Sequence, residues 1–379
     1  MDRFRLISPV IEDRVAFEEF AEVMSERSVE IEQTIAKLRR TPKDRELAAC
    51  LFRAVHNIKG DAGFCKMSFM VDAAQPIETI LDRFRSGELA LSDLLAETIL
   101  LAIDRLEQAV DGLLAGKNIA HLKLLPLVEG LEKVCIATPG EIDELCGKVI
   151  EDVTGFPPVI SDGFEKVDRL KEGASTRETL SSESQSGDLA FFHSLALQYE
   201  GRSPLFKGRT ARVLRLALDT NIANSSPIDP VQLEAAVYMH DMGMMFVPES
   251  VWLKVERFTP EDKETLMAHP AYAAGLLERM PGWAGAARMV AEHHEMVDGK
   301  GYPKGLSDKE ICDGAKVLSI VDAFEAVTLK HINRGETRSV VRAIAEVNAS
   351  TQQQFAPEWI GPFNEVIRKS ASIMQTTGH

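Results

Sequence analysis

The sequence predicts an all-α protein built as two helical domains. Three observations carry that reading. Apolar residues recur at helical spacing through most of the 379 residues. Alternating or β-branched runs that would mark strands are scarce. One polar, Ser-rich stretch interrupts the periodicity near the middle of the chain. In order, helical segments are predicted near 14–38, 43–66, 68–86, 92–115 and 118–134. Thr41-Pro42 and Ser86-Gly87 separate them, and Ser92 reads as an N-cap. Segments of that length with short connections pack most economically as an up-down bundle, so residues 1–136 are expected to form one domain. Residues 137–187 contain Thr-Pro-Gly, Gly-Phe-Pro-Pro and a Ser-rich run, and read as a linker with one short helix near 141–151. Periodicity then returns near 188–200, 208–222, 230–241, 260–279, 283–295, 310–330, 336–350 and 357–373, which makes 188–379 a second domain.

Composition bounds the function classes. Hydrophobic residues make up 45% of the chain and charged residues 27%, ordinary values for a globular protein in water. A formal net charge of -15 repels duplex nucleic acid and anionic membrane surfaces, so neither is an expected partner. A small anion can still be held in a locally positive or metal-bearing pocket. The five cysteines contain no Cys-x-x-Cys pair and read as reduced thiols. The N-terminus lacks a signal-peptide apolar region, and the most apolar stretch, around Ile99–Ile103, is far short of the ~18–20 residues that span a bilayer. A cytoplasmic location is the expectation.

Residues 52–65 read Phe-Arg-Ala-Val-His-Asn-Ile-Lys-Gly-Asp-Ala-Gly-Phe-Cys. On a helix, His56, Lys59, Gly60 and Gly63 form one stripe, with Phe52, Val55, Ile58 and Ala62 opposite. Two glycines inside a helix cost ~1 kcal/mol each relative to alanine and need a reason. Bare backbone on that stripe lets another protein approach the imidazole, and a lysine one turn away can stabilise a phosphoryl group on it. The segment resembles the histidine-phosphotransfer (Hpt) domain, with its His-x-x-Lys-Gly pattern and later Gly-Phe, over roughly residues 10–130. The resemblance implies that His56 accepts a phosphoryl group from a response-regulator receiver domain, with Lys59 assisting.

Downstream, five pieces hold imidazoles and carboxylates. They are His240-Asp241, His269-Pro270, His293-His294-Glu295, Asp298-Gly-Lys-Gly-Tyr302-Pro303 and Asp322-Ala-Phe. Such side chains hold borderline divalent metals, and packing alone gives no reason for adjacent histidines in a chain with nine. Each candidate falls at or near a predicted helix end, so a helical fold can converge them on one cavity. This pattern resembles the HD-GYP branch of the HD metal-dependent phosphohydrolases over about 205–350.

The resemblance implies that His240, Asp241, His269, His293, His294 and Asp322 are metal ligands, with Asp241 as the bridging carboxylate and catalytic centre. It implies two Fe or Mn ions, no nucleotide cofactor, cyclic di-GMP as substrate, and in-line attack on the phosphodiester by a metal-activated water. Tyr302 and Arg334 would serve substrate, and a homodimer would be in keeping; Lys304, on its charge alone, is a further candidate cation for a dinucleotide, and a salt-bridged surface explains it as well.

The departures from the family pattern are specific. Arg209-Thr-Ala-Arg-Val stands where the family has a ligand histidine, and Leu205 replaces an acidic residue one turn earlier. Met244 replaces a lysine after His-Asp-x-Gly, and only Arg334 survives of the family's Arg-Pro-Tyr-Arg. Three readings follow, the first two being a phosphorelay protein with a metal-dependent phosphodiesterase output, and an adaptor whose second domain binds cyclic di-GMP or a partner without hydrolysis. A nucleotide-directed HD phosphohydrolase is the third, and the Gly-Tyr-Pro loop speaks against it.

Overall fold

The structure is a computed structural model and describes residues 4–7, 9–11, 13–158, 183–252, 254, 258–333 and 340–376. Among these residues the secondary structure is helical, with isolated bridges such as Asp298 to Ser307 but no strand. The helices group into two compact units, Met1–Ile160 with Lys330–Ala345, and Ser161–Leu329 with Glu346–His379.

In the first unit, α1 (Phe4–Ile7), α2 (Arg14–Arg40), α3 (Arg45–Phe64), α4 (Ser68–Arg85), α5 (Asp93–Leu114), α6 (Leu124–Ile136) and α7 (Ile142–Thr154) follow in order. Their starts are written locally. Asp13 and Asp44 each accept two backbone N–H groups of the first turn of α2 and α3, and Ser92 accepts Leu95 N–H at 3.1 Å at the start of α5. The core is the facing apolar stripes: Phe17, Met24, Ile31 and Leu38 of α2, Leu51, Val55 and Ile58 of α3, Ile77 and Leu81 of α4, and Ile99 and Leu106 of α5.

The linker expected from residue 137 is corrected. Helix α7 buries Ile142, Cys146, Val149, Ile150 and Val153 in the bundle. A Cβ on Gly130 of α6 would stand 2.6 Å from Val149, so α6 and α7 approach more closely than any larger residue there allows. The first unit therefore extends well past residue 136. The Ser-rich part of the expected linker lies outside the described residues, apart from the start of the next helix.

The second unit comprises α8 (Glu183–Glu200), α9 (Arg209–Ala223), α10 (Pro230–Met239), α11 (Glu249–Trp252), α12 (Pro260–Met267), α13 (His269–Leu277), α14 (Ala284–Glu292) and α15 (Asp313–Asn333) as far as Leu329, and takes in α17 (Pro357–Thr376). The expected single helix 260–279 is two, because the chain turns at Ala268 and Pro270 then sits in the first turn of α13. Helix α10 packs against α8, α9 and α14, and α13 packs against α14 and the 3-10 turn Met242–Phe246. Trp283, Leu277, Val290, Phe324 and Phe363 are among its buried residues.

Between α15 and α17 lies α16 (Val340–Ala349), and its first part belongs to the first unit. There the fully buried Arg342 pairs with Glu32 of α2 and Asp104 of α5, and Arg105 Nη2 donates to the Ala345 carbonyl at 2.7 Å. Burial works against a charged guanidinium, yet the two carboxylates hold Arg342 above its ordinary value.

Candidate metal centre and phosphoacceptor histidine

In the first unit the candidate stripe lies on α3. The His56 side chain is 56% exposed, and its Nδ1 stands 3.2 Å from Glu78 Oε1 on α4. The carboxylate only accepts, so Nδ1–H donates to it and the Nε2 lone pair is left for chemistry. Lys59 donates to Gln75 Oε1 at 3.1 Å and ion-pairs with the other oxygen of Glu78. Partial burial raises the Glu78 carboxyl, but the bonds from Lys59 and His56 outweigh it and hold Glu78 below its ordinary value. Phe52, expected on the buried side opposite His56, is half-buried and stacks on His56 at 5.8 Å between ring centres, because residues four apart share a helix face; the Arg85 guanidinium covers the Phe52 ring at 3.9 Å. A Cβ on Gly60 would meet nothing within 4 Å. The face beside His56 is thus open backbone.

In the second unit, His240, Asp241, His269, His293, His294 and Asp322 converge. His240 ends α10 and Asp241 follows it into the 3-10 turn. His269 opens α13, and His293-His294 follow α14. Asp322 differs from its expected place at a helix end, since it sits within α15. Gly243 makes the convergence possible: a Cβ there would stand 1.9 Å from the His269 carbonyl oxygen, so only glycine lets the turn after Asp241 lie against α13.

The ligand atoms form two groups, each within 4.8 Å: His269, His293 and His294, and His240, Asp241 and Asp322. Asp241 lies between them, with Oδ1 3.6 Å from His269 Nε2 and Oδ2 3.4 Å from His240 Nε2. His240, His269 and His293 each place Nδ1 2.7 Å from the carbonyl three residues earlier, Val237, Leu266 and Val290. A carbonyl accepts, so each Nδ1 carries the proton and each Nε2 faces inward as a lone pair in the neutral ring. This backbone-fixed tautomer is how ligand imidazoles are held.

The first group fits a divalent ion. The Nε2 atoms of His269 and His293 are buried without a hydrogen-bond partner, a costly state that an ion would relieve. Burial, then the neighbouring imidazoles, push His293 well below its usual range and His294 down to about 4, so both rings are neutral and ligand-ready at pH 7. The second group differs. Burial disfavours the imidazolium of His240, but Asp241 and Asp322 reverse that and raise it to about 9. Asp241 and Asp322 are both held well below the carboxylate range: burial opposes this, and His240 and Arg209 override it.

Arg209 was legible only as a departure from a family pattern, and it sits in the centre of this group. Its Nη2 lies 2.9 Å from Asp241 Oδ2 and 2.5 Å from Asp322 Oδ1. Glu200, not anticipated from the sequence, fixes the start of α9 by accepting Gly208 N–H at 2.6 Å and Thr210 N–H at 3.0 Å. Tyr199 next to it is buried among Phe206 and Trp252 rings, and burial, then Asp241, raise its phenol. An acidic residue ahead of a helix was the available signal for Glu200, but its partners lie eight and ten residues on.

Tyr302 stacks on His294 at 4.8 Å and its N–H donates to the His294 carbonyl at 3.1 Å. Glu295 closes this loop by accepting Lys304 and Leu306 N–H at 2.7 and 2.8 Å. Lys304 lines a different cavity of about 420 Å³ with Arg288, Glu292 and Met280, apart from the six ligand candidates. Arg334 lies outside the described residues.

Residues 16–109 match the Hpt domain family and residues 199–358 the HD domain family. The chain therefore joins an Hpt domain to an HD domain, and the latter carries the Gly-Tyr-Pro loop at 301–303. Among curated relatives, a cyclic di-GMP phosphodiesterase of Thermotoga maritima is 26% identical over 150 residues, 39% of this chain and 40% of that protein. A 3'3'-cGAMP-specific phosphodiesterase 3 of Vibrio cholerae is 26% identical over 163 residues, 42% of this chain and 35% of that protein. The chemotaxis protein CheA of Rhizobium meliloti is 24% identical over 226 residues, 58% of this chain and 29% of that protein. The chain thus spans two-fifths or less of the length of these relatives. No helix among the described residues is long and apolar enough to cross a membrane.

Proposed function

We propose that this protein is a two-component signalling protein that receives a phosphoryl group at His56 and carries an HD-GYP-type output domain for a cyclic dinucleotide of the cyclic di-GMP class. HD-domain phosphohydrolases depend on metal, and the single observation that carries the output reading is the buried, unpartnered Nε2 pair of His269 and His293 beside His294. Bound there, an Fe or Mn ion would act as a Lewis acid toward a phosphodiester oxygen. The protein's part is to gather the three imidazoles, with Nδ1 of His269 and His293 held by backbone carbonyls so that Nε2 faces inward, and to present Asp241 beside them. Tyr302, stacked on His294, forms part of the approach for the nucleotide.

At the other domain, the Nε2 lone pair of His56 attacks the phosphorus of an aspartyl phosphate on a receiver domain. The N–P bond forms as the P–O bond to the aspartate breaks, and that carboxylate leaves. Glu78 keeps the proton on Nδ1, and Lys59 balances Glu78 and stands one turn from the incoming group. Labelled phosphoryl transfer from a phosphorylated receiver is expected to disappear in His56→Gln; persistence of label would remove the assignment.

The position of Arg209 favours a second reading, in which the HD domain binds the cyclic dinucleotide without hydrolysing it. Incubation with cyclic di-GMP and MnCl2, followed by chromatography for the linear product, separates the two. Linear product supports hydrolysis, metal-dependent retention without product supports binding, and neither one contradicts both.

A further inference from the structure

The two ligand groups of the HD domain are unequal. Around the first, His269, His293 and His294 offer inward nitrogens with no protein cation bonded to His269 or His293 Nε2. Around the second, one nitrogen of Arg209 reaches every member. Nη2 is 2.9 Å from Asp241 Oδ2, 2.5 Å from Asp322 Oδ1 and 3.3 Å from His240 Nε2. A divalent ion on those same three atoms would sit about 2.0–2.2 Å from each. That point and the guanidinium nitrogen cannot both be occupied. The side chain is held there: Arg209 is the first residue of α9, Glu200 fixes that helix start, and the head group is largely buried. A guanidinium keeps its proton at any working pH, so it can neither become a ligand nor leave by deprotonation.

We propose that Arg209 is a built-in cation standing in the second ion's place, so that the chain binds a single divalent ion, at His269, His293 and His294 with Asp241 Oδ1 facing it. The inference rests on the metal reading above. It makes Asp241 a link between one ion and one guanidinium rather than a bridge between two ions. The second positive charge of the site is then part of the fold and independent of metal supply.

The test is metal content of the full chain after loading with MnCl2 and desalting. One ion per chain is expected for the wild type, two for Arg209→His, and none for His293→Ala. Two ions in the wild type overturn the inference, as does one ion in both the wild type and Arg209→His. A single ion lost in Asp322→Asn but kept in His293→Ala overturns it too, because it places the ion in the wrong group. No ion in the wild type or in Arg209→His overturns the metal reading itself, an outcome distinct from the others. The wild type alone supplies a check that needs no variant to fold. The Mn(II) electron spin resonance spectrum is expected to show the hyperfine pattern of isolated ions, and exchange-coupled signals would overturn the proposal.

Discussion

At the residue scale, two buried or half-buried charges do most to distinguish this chain. Glu78 faces both His56 and Lys59, from a helix different from theirs. Glu78→Ala frees the His56 ring to change tautomer and orientation, so phosphoryl transfer is expected to slow by roughly 10–100-fold, the scale seen when a partner that orients an imidazole is removed. Transfer at the wild-type rate would deny Glu78 that role. Arg342 is the second. Its removal leaves Glu32 and Asp104 buried with their shared cation gone. Arg342→Ala is expected to lower unfolding stability by about 3–5 kcal/mol in a denaturant titration, and a loss within experimental error would contradict the pairing. Neither arrangement was legible in the sequence. His56 and Lys59 announce themselves because they share one helix face, whereas Glu78 reaches them across a helix pair and Arg342 reaches acids hundreds of residues away. Arg209 was visible as an anomaly, but its position between two carboxylates was not.

At the element scale, most helices followed from apolar spacing and local caps. The exceptions have physical causes. Helix α7 was expected as a short helix near 141–151, but Thr-Pro-Gly before it and Gly-Phe-Pro-Pro after it placed it in a linker rather than in the bundle core. If α7 is core, Ile150→Ala is expected to cost about 2–5 kcal/mol of stability, while a tether would leave the denaturation midpoint unmoved. The turn after Asp241 is the other telling element. Gly243→Ala places a methyl group against the His269 backbone. Because the atom met is backbone rather than a flexible side-chain tip, the strain is expected to cost about 1–3 kcal/mol and to weaken Mn binding with it. Unchanged metal content and melting temperature would show that the turn has room to spare. The six ligand candidates were legible as residue types at recognisable spacing; the division into two groups was not, since it depends on how α9, α10, α13 and α15 meet.

At the scale of the whole molecule, an Hpt domain and an HD domain share one chain, and the chain threads back so that the start of α16 completes the first unit. Under the proposed function, the first domain receives a phosphoryl group and the second holds a metal and a cyclic dinucleotide. Its net charge of -15 leaves the metal and a few fixed cations as the attraction for an anionic ligand, so chelation is expected to abolish nucleotide binding as well as any turnover. The most direct measurement is therefore radiolabelled cyclic di-GMP mixed with Mn-loaded protein and resolved into bound, free and linear nucleotide. Metal-dependent retention or linearisation that vanishes in His293→Ala is the expected result. Neither retention nor linear product from the Mn-loaded wild type would contradict the assignment of the HD domain to cyclic dinucleotides.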